Sequence, residues 1–210
     1  MTVTASQPRL IIFAKAPVPG SVKTRLIRAL GAEGAAALAQ RMLAHVLAQA
    51  MAAQAGSVEL CMSPAPGHPA WDKFALPEPV LRTDQGEGDL GKRMAHAVRR
   101  VMAASAQPVL LMGSDCPGLS SCMIREAASQ LRTHDAVLLP VADGGYVLIG
   151  LKSPCPELFD RMAWSTDTVA AETLRRMAEL GLNVWLGPML RDIDDPEDLA
   201  HLPVGFSSLG

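Results

Sequence analysis

Asp115 stands in Gly113-Ser114-Asp115-Cys116-Pro117-Gly118, directly after the apolar run Val109-Leu110-Leu111-Met112. Pro117 and Gly118 stop the chain from continuing in one regular element, so the carboxylate is expected to project from a tight turn. A carboxylate with open sides suits Mg²⁺ (or Mn²⁺), a hard cation usually held by one or two carboxylates together with substrate phosphates. The plainer alternative is that Asp115 caps the helix that follows, a task for which Ser120 or Ser121 is better placed. A second chemical group lies near the start of the chain. Lys15, Lys23 and Arg25 flank a segment interrupted by Pro17, Pro19 and Gly20. An irregular loop rich in cations and exposed N–H groups suits phosphate, although neither GxxxxGK[ST] nor GxGxxG is present. Its plainer reading is a solvated basic loop.

Four further stretches carry candidate groups. Gln85-Gly86-Glu87-Gly88-Asp89-Leu90-Gly91 is a glycine-rich turn whose backbone could approach a base or ribose closely, or could be a strand–helix connection with Asp89 as the cap. Asp143-Gly144-Gly145-Tyr146 reads as a hairpin turn, yet it holds the chain's one tyrosine and places an Asp at the same sheet edge as Asp115. Gly145 is expected to need a conformation that glycine reaches easily. Trp164-Ser165-Thr166-Asp167 precedes a helix, with Ser165 or Thr166 as its N-cap and a helix N-terminus able to hold an anionic group. Asp192-Ile193-Asp194-Asp195-Pro196 is acidic; one of its carboxylates could reach a metal, and Asp195 before Pro196 suffices as a cap.

The elements that must position these groups alternate. Strands are expected at Arg9–Lys15, Ser57–Ser63, Val80–Thr83, Val109–Met112, Asp135–Pro140, Tyr146–Leu151 and Asn183–Leu186. Helices are expected at Gly31–Gln54, Gly91–Ala104, Ser121–Arg132 and Val169–Leu180, with a closing helix after Pro196. The proline-rich stretch Pro64–Pro79 reads as a loop with at most one helical turn. Short, continuously apolar strands alternating with helices give an α/β fold with a mostly parallel sheet, and the Asp143–Gly145 hairpin adds an antiparallel strand. In such sheets ligands bind beyond the carboxyl ends of the strands, where Asp115 and the cation loop both fall.

Composition bounds the function classes. At 210 residues the chain is read as one domain. A net charge of −2 lacks the basic face of a nucleic-acid or membrane-surface binder. No apolar run approaches the roughly 18 residues of a membrane span, and the N-terminal stretch shows no secretory pattern. Cys61, Cys116, Cys122 and Cys155 have no metal-ligand spacing and read as reduced thiols of a cytoplasmic protein, with Cys116 a small apolar filler in its turn.

Taken in order, FAKAPVPGSVKTRL, QGEGDLGKRM, GSDCPGL, VADGGYVLIGL, WSTDTV and DIDDPEDL resemble a bacterial family labelled as A-type glycosyltransferases, some of them linked to arsenosugar biosynthesis. The resemblance runs from about Arg9 to Leu199. It implies the three-layer, Rossmann-like nucleotide-diphospho-sugar transferase fold, with 2-phospholactate guanylyltransferase and the molybdenum-cofactor guanylyltransferase as cousins. It further implies that Ala14, Lys15, Lys23, Arg25, Gln85, Gly86, Asp89, Leu90 and Ser114 bind the nucleotide. Asp115, Lys23 and Arg25 would carry catalysis, Asp115 and Asp194 the metal. Asp143, Gly144, Gly145, Tyr146, Trp164, Ser165 and Thr166 would line the acceptor site. The sequence departs from the pattern in having Ser114 where a second carboxylate of a DxD would stand, and Asp195 where threonine is usual.

The expected activity is a Mg²⁺-dependent transferase with a nucleotide or nucleotide-sugar donor and a small-molecule acceptor, most simply a glycosyltransferase. Nucleotidyl transfer with release of pyrophosphate is the alternative chemistry, and a non-catalytic nucleotide-binding module the alternative class. No Ser–His–Asp or Cys–His nucleophile is apparent, so catalysis would rest on orientation and electrostatics.

Overall fold

The structure is a computed structural model that describes residues 6–204 and Phe206. The first five residues, part of the stretch read for a secretory signal, lie outside that range. Seven strands form one sheet: β1 (Arg9–Lys15), β2 (Val58–Ser63), β3 (Leu81–Asp84), β4 (Val109–Gly113), β5 (Ala136–Pro140), β6 (Tyr146–Leu151) and β7 (Val184–Leu186). They lie in the order β3-β2-β1-β4-β6-β5-β7. Only β6 runs against its neighbours, pairing antiparallel with both β4 and β5. The other pairs are parallel. Helices α1 (Ile27–Ala53), α2 (Leu90–Ser105), α3 (Ser121–Gln130) and α4 (Val169–Glu179) complete the layers.

The strand sequences explain the two cores. Side chains alternate across a strand, so strands buried on both sides are apolar at every position. Leu10, Ile12, Leu110, Met112, Val137 and Leu139 face α1 and α3, meeting Leu43, Val46, Leu47, Ile124 and Ala127. Ile11, Phe13, Val109, Leu111, Ala136 and Leu138 face α2 and α4, meeting Met94, Val98, Val101, Ala170 and Met177. A third cluster packs Leu26, Leu38 and Met42 against Ile193 and Phe206, which ties the start of α1 to the end of the chain.

Several local expectations are revised. Helix α1 begins at Ile27 but breaks at Gly31 (φ 71°), so regular helix starts just past the expected position. Ser120 caps α3, its Oγ accepting the Met123 N–H at 3.3 Å. The N-cap of α4 is Thr168 rather than Ser165 or Thr166, and its side chain makes no capping bond. The closing helix is a short 3-10 segment, Pro196–His201. Asp195 holds its cap position with Pro196 after it, as expected, and the Asp198 carboxylate accepts the N–H groups of Asp194 and Asp195, at 3.1 and 2.9 Å.

Topology positions the site. From β1 the chain winds outward through α1 to β2 and β3, then returns through α2 to β4 on the other flank of β1. The order reverses between β1 and β4, and a crevice opens beyond the carboxyl ends at such a switch point. Lys15 ends β1, and Asp115 follows β4 by two residues. Among the described residues no helix is long and apolar enough to cross a membrane.

Candidate active site

The turn after β4 gathers the far end of the chain. Asp115 offers its backbone carbonyl to the Ile193 N–H at 3.0 Å, and the buried Cys116 thiol donates to the Arg191 carbonyl at 3.1 Å. Further along, Leu190 donates to Pro140 and Ala142 donates to Leu190, both at 2.9 Å. These bonds lay residues 190–194 between the ends of β4 and β5, which brings Asp194 to Asp115 and Asp192 to Asp143. Asp115 itself is not a helix cap; its Oδ1 accepts the Ser114 hydroxyl at 3.2 Å, and half of the side chain is exposed.

Lys23 closes this arrangement. It adopts a left-handed conformation (φ 48°) at the start of a 3-10 turn, and its side chain is 4% exposed. Its Nζ lies 3.2 Å from Asp115 Oδ2 and 2.5 Å from Asp194 Oδ1. Burial lowers the pKa of the ammonium, but the charges of Asp115 and Asp194 outweigh it and leave the pKa raised. Arg25 extends the network to Asp194 at 3.2 Å and Asp195 at 2.7 Å. Asp143, Asp192 and Asp194 also converge, one carboxylate oxygen from each lying within 4.8 Å of the others. Burial, helped by Asp143 and Asp194 and opposed by Lys23, raises the Asp192 pKa to about 6.

The donor set therefore fits a hard divalent cation: carboxylate oxygens at close range, one of them pushed toward protonation by burial and by its neighbours. Asp194 belongs both to the pair with Asp115 and to the group with Asp143 and Asp192, so it is the common member of either set.

The crevice has two halves that share Phe13, Arg25, Leu90, Gly113 and Asp194. One half, about 410 Å³, brings together Ala14, Lys15, Lys23, Ser114 and Asp115 beside Gln85 and Arg93. Lys15 is exposed and has no ion pair among the described residues. Gln85 is buried; its amide N–H groups donate to the carbonyls of Ala14 and Cys61, each at 3.0 Å, and its oxygen accepts from Arg93 at 3.0 Å. Gln85 thus positions Arg93, a cation of this half that the sequence reading did not select, although it lies inside the QGEGDLGKRM block. Asp89 is not brought here. Its carboxylate caps α2, accepting the Lys92 N–H at 2.9 Å, and it borders a separate hollow between α2 and α4. Gly86 is exposed outside the crevice lining, its N–H held by Asp84 Oδ1 at 3.0 Å.

The other half, also about 410 Å³, is lined by Asp143, Gly145, Tyr146, Trp164, Ser165 and Thr166, together with Asp167 and Asp192. Tyr146 and Trp164 meet edge to face, ring centroids 6.5 Å apart. The Tyr146 hydroxyl is buried beside Thr173 with no hydrogen bond among the described residues, and burial raises its pKa. Gly144 supports the half from beneath. It has φ 90°, and a Cβ on it would lie 1.9 Å from the Asp167 carbonyl oxygen, while its own carbonyl accepts the Ala170 N–H at 2.8 Å. The need for glycine expected at Gly145 falls on Gly144 instead. Gly145 lies outside the left-handed region, and a Cβ there would meet Asp143 Oδ1 at 3.1 Å. Ser165, like Lys23, holds a left-handed conformation (φ 63°), so each half contains one non-glycine residue in a conformation that costs energy.

A crystal structure from Desulfovibrio desulfuricans G20, provisionally named a nucleotide-diphospho-sugar transferase, is 31% identical to this chain, with TM-score 0.83, covering 90% of this chain and 83% of its own. Rv0371c from Mycobacterium tuberculosis H37Rv in complex with manganese matches at 15% identity and TM-score 0.57, covering 94% of this chain and 98% of its own. A 4-diphosphocytidyl-2C-methyl-D-erythritol synthase matches at 13% identity and TM-score 0.59, covering 94% and 97%. The fold is the expected nucleotide-diphospho-sugar transferase-like fold, a mostly parallel sheet with one reversed strand. Comparison with curated proteins finds no match. The sequence profile of the family described as "Uncharacterized protein conserved in bacteria (DUF2064)" matches residues 46–166, and the chain belongs to that family.

Proposed function

We propose that the protein is a nucleotide-dependent transferase, acting as one domain, that transfers a glycosyl group from a nucleotide-sugar to a small-molecule acceptor. One observation carries this reading: a crevice at the sheet's switch point has cations on one side, carboxylates on the other, and Lys23 bridging Asp115 and Asp194 where the halves meet. Lys15, Arg25 and Arg93 would bind the donor's phosphates, and Ala14 and Ser114 border the same space. A divalent cation, Mg²⁺ or Mn²⁺, would be held by Asp115 and Asp194, where it would neutralise phosphate charge and stabilise the leaving group. The manganese complex of the M. tuberculosis relative supports such a cation. Lys23 occupies both carboxylates now; on cation binding its ammonium would be released toward the donor phosphates. Asp143, Tyr146, Trp164, Ser165 and Thr166 would hold the acceptor on the opposite side, so that the reacting groups meet near Asp194.

Nucleotidyl transfer is the second reading. The donor half gathers Lys15, Lys23, Arg25 and Arg93, enough positive charge for a triphosphate. Incubation of the protein and Mg²⁺ with nucleoside triphosphates or nucleotide-sugars, plus a library of small hydroxylated acceptors, distinguishes the readings. Release of nucleoside diphosphate from a sugar donor supports glycosyl transfer, and release of pyrophosphate supports the second reading. Tight nucleotide binding without either product favours a non-catalytic module and contradicts the proposal.

A further inference from the structure

The second half of the crevice differs in charge from the first. Asp143, Asp167, Asp192 and Asp194 line it, and its one cation is Arg25 among the described residues. The Arg25 guanidinium pairs with Asp194 and Asp195 and, in the reading above, serves the donor's phosphates rather than the acceptor. The helix N-terminus beside this half already uses part of its hydrogen-bonding capacity. The Ala170 N–H is taken by Gly144 and the Glu172 N–H by Thr168. The Thr166 hydroxyl donates to the Ala163 carbonyl at 2.8 Å, and Asp167 stands in the same segment. The carboxylates around this segment therefore weigh against an anionic group there. The floor, in contrast, is apolar: Phe13, Met94 and Val147 lie under the edge-to-face corner of Tyr146 and Trp164.

We infer that the acceptor is an uncharged, hydroxyl-bearing molecule with an apolar face, and that phosphorylated or carboxylated acceptors are excluded. This deepens the transferase reading above and rests on it. Carboxylates accept hydrogen bonds from hydroxyls but repel a phosphate or carboxylate brought beside them. Aromatic edges and faces suit the C–H surface of a ring or polyol. A donor bound in the first half brings its own phosphates to the boundary and makes an anionic acceptor still less favourable. A divalent cation at Asp115 and Asp194 leaves Asp143, Asp167 and Asp192 facing the acceptor.

The test uses the full chain in Mg²⁺. Solvent paramagnetic relaxation is recorded with an amine-bearing and a carboxylate-bearing nitroxide of equal size. The amine probe should dominate at the amides of Gly145, Ser165 and Thr166, and the carboxylate probe at Ser21 and Val22 on the donor side. Equal effects at Gly145, Ser165 and Thr166, or an excess of the carboxylate probe, overturn the inference whether or not any nucleotide binds, so failure of the donor reading is not mistaken for failure of this one. With a donor that turns over, glycerol is compared with glycerol phosphate and glucose with glucose phosphate. The unphosphorylated member should react at least about tenfold faster, and Asp143→Asn combined with Asp167→Asn should bring that ratio toward unity. A phosphorylated member that reacts faster, or a ratio the double variant leaves unchanged, overturns the inference.

Discussion

Lys23→Met tests whether the lysine stands where a divalent cation would act. In the parent, the ammonium lies 3.2 Å from Asp115 and 2.5 Å from Asp194, with its side chain 4% exposed. Hydrogen bonds between charged groups each contribute about 1.5–3 kcal/mol. Asp115 is half exposed and Asp194 31% exposed, so solvent screening places both near the low end of that range. Desolvation of the ammonium offsets part of the gain. Methionine keeps the apolar stem and leaves the two carboxylates facing each other without a cation. The variant should lose about 2 kcal/mol, or about 4–8 °C in Tm for a chain of this size. The distinguishing feature is rescue. Mg²⁺ or Mn²⁺ should stabilise the variant more than the parent, because it no longer competes with an ammonium; a cation at a hundred times its Kd contributes about 2.7 kcal/mol. Thermal unfolding with and without each cation, and with Ca²⁺ and added NaCl as controls, reads this directly. If the variant is as stable as the parent, or if cation rescue is equal in both, the assignment of Lys23 to the metal position is refuted.

Three further outcomes follow from other parts of the molecule. Glu59 is fully buried, ion-paired with Arg9 at 3.1 Å and with Arg100, and accepts from the Thr83 hydroxyl at 2.7 Å; Glu59→Ala should cost about 3–5 kcal/mol in urea unfolding, by leaving two guanidinium groups without their partner. Gly144→Ala should cost about 1–3 kcal/mol and sharply reduce turnover, through its left-handed backbone and the overlap with the Asp167 carbonyl, whereas Gly145→Ala should cost well under half as much; equal effects would show that the turn does not set the acceptor half. Burial raises the thiols of Cys61 and Cys116 to about 11, so at pH 8 both should resist a disulfide reagent in the folded protein while the exposed Cys122 reacts at once; four equally fast thiols would contradict the packing of the β4 turn.

Much of this arrangement is legible in the sequence because local chemistry and burial agree. Val109–Met112 and Tyr146–Leu151 read as strands from their apolar runs, and the structure places strands there, the first one residue longer. Asp115 could be located because Pro117 and Gly118 force a turn at the end of a strand that must be central. The two halves of the crevice lie at loops on opposite sides of β4. What the sequence does not reveal depends on contacts between distant segments. The pairing of Lys23 with Asp115 and Asp194 needs the hydrogen bonds that draw residues 190–194 between β4 and β5, and no local pattern encodes them. Arg93 was missed because its role comes from Gln85, whose amide is turned inward to the strand ends. Asp89 shows the opposite error: its position as a helix cap was visible, and the capping role is the one its carboxylate fills. Gly144 and Gly145 cannot be told apart without the Asp167 carbonyl that presses on the first of them.

The central claim is that nucleotide binds in the half bounded by Lys15, Lys23 and Arg93 and that Asp115 holds the cation which accompanies it. Calorimetric titration of nucleoside triphosphates and nucleotide-sugars, with and without Mg²⁺ or Mn²⁺, into the parent and into Asp115→Asn tests both parts together. At least one nucleotide should bind the parent more tightly when the cation is present, and Asp115→Asn should lose that cation-dependent part while staying folded, its Tm falling less than that of Lys23→Met because Asp194 still pairs with the ammonium. Nucleotide binding with the same cation dependence in parent and variant, or no binding by the folded parent across the panel, would contradict the account.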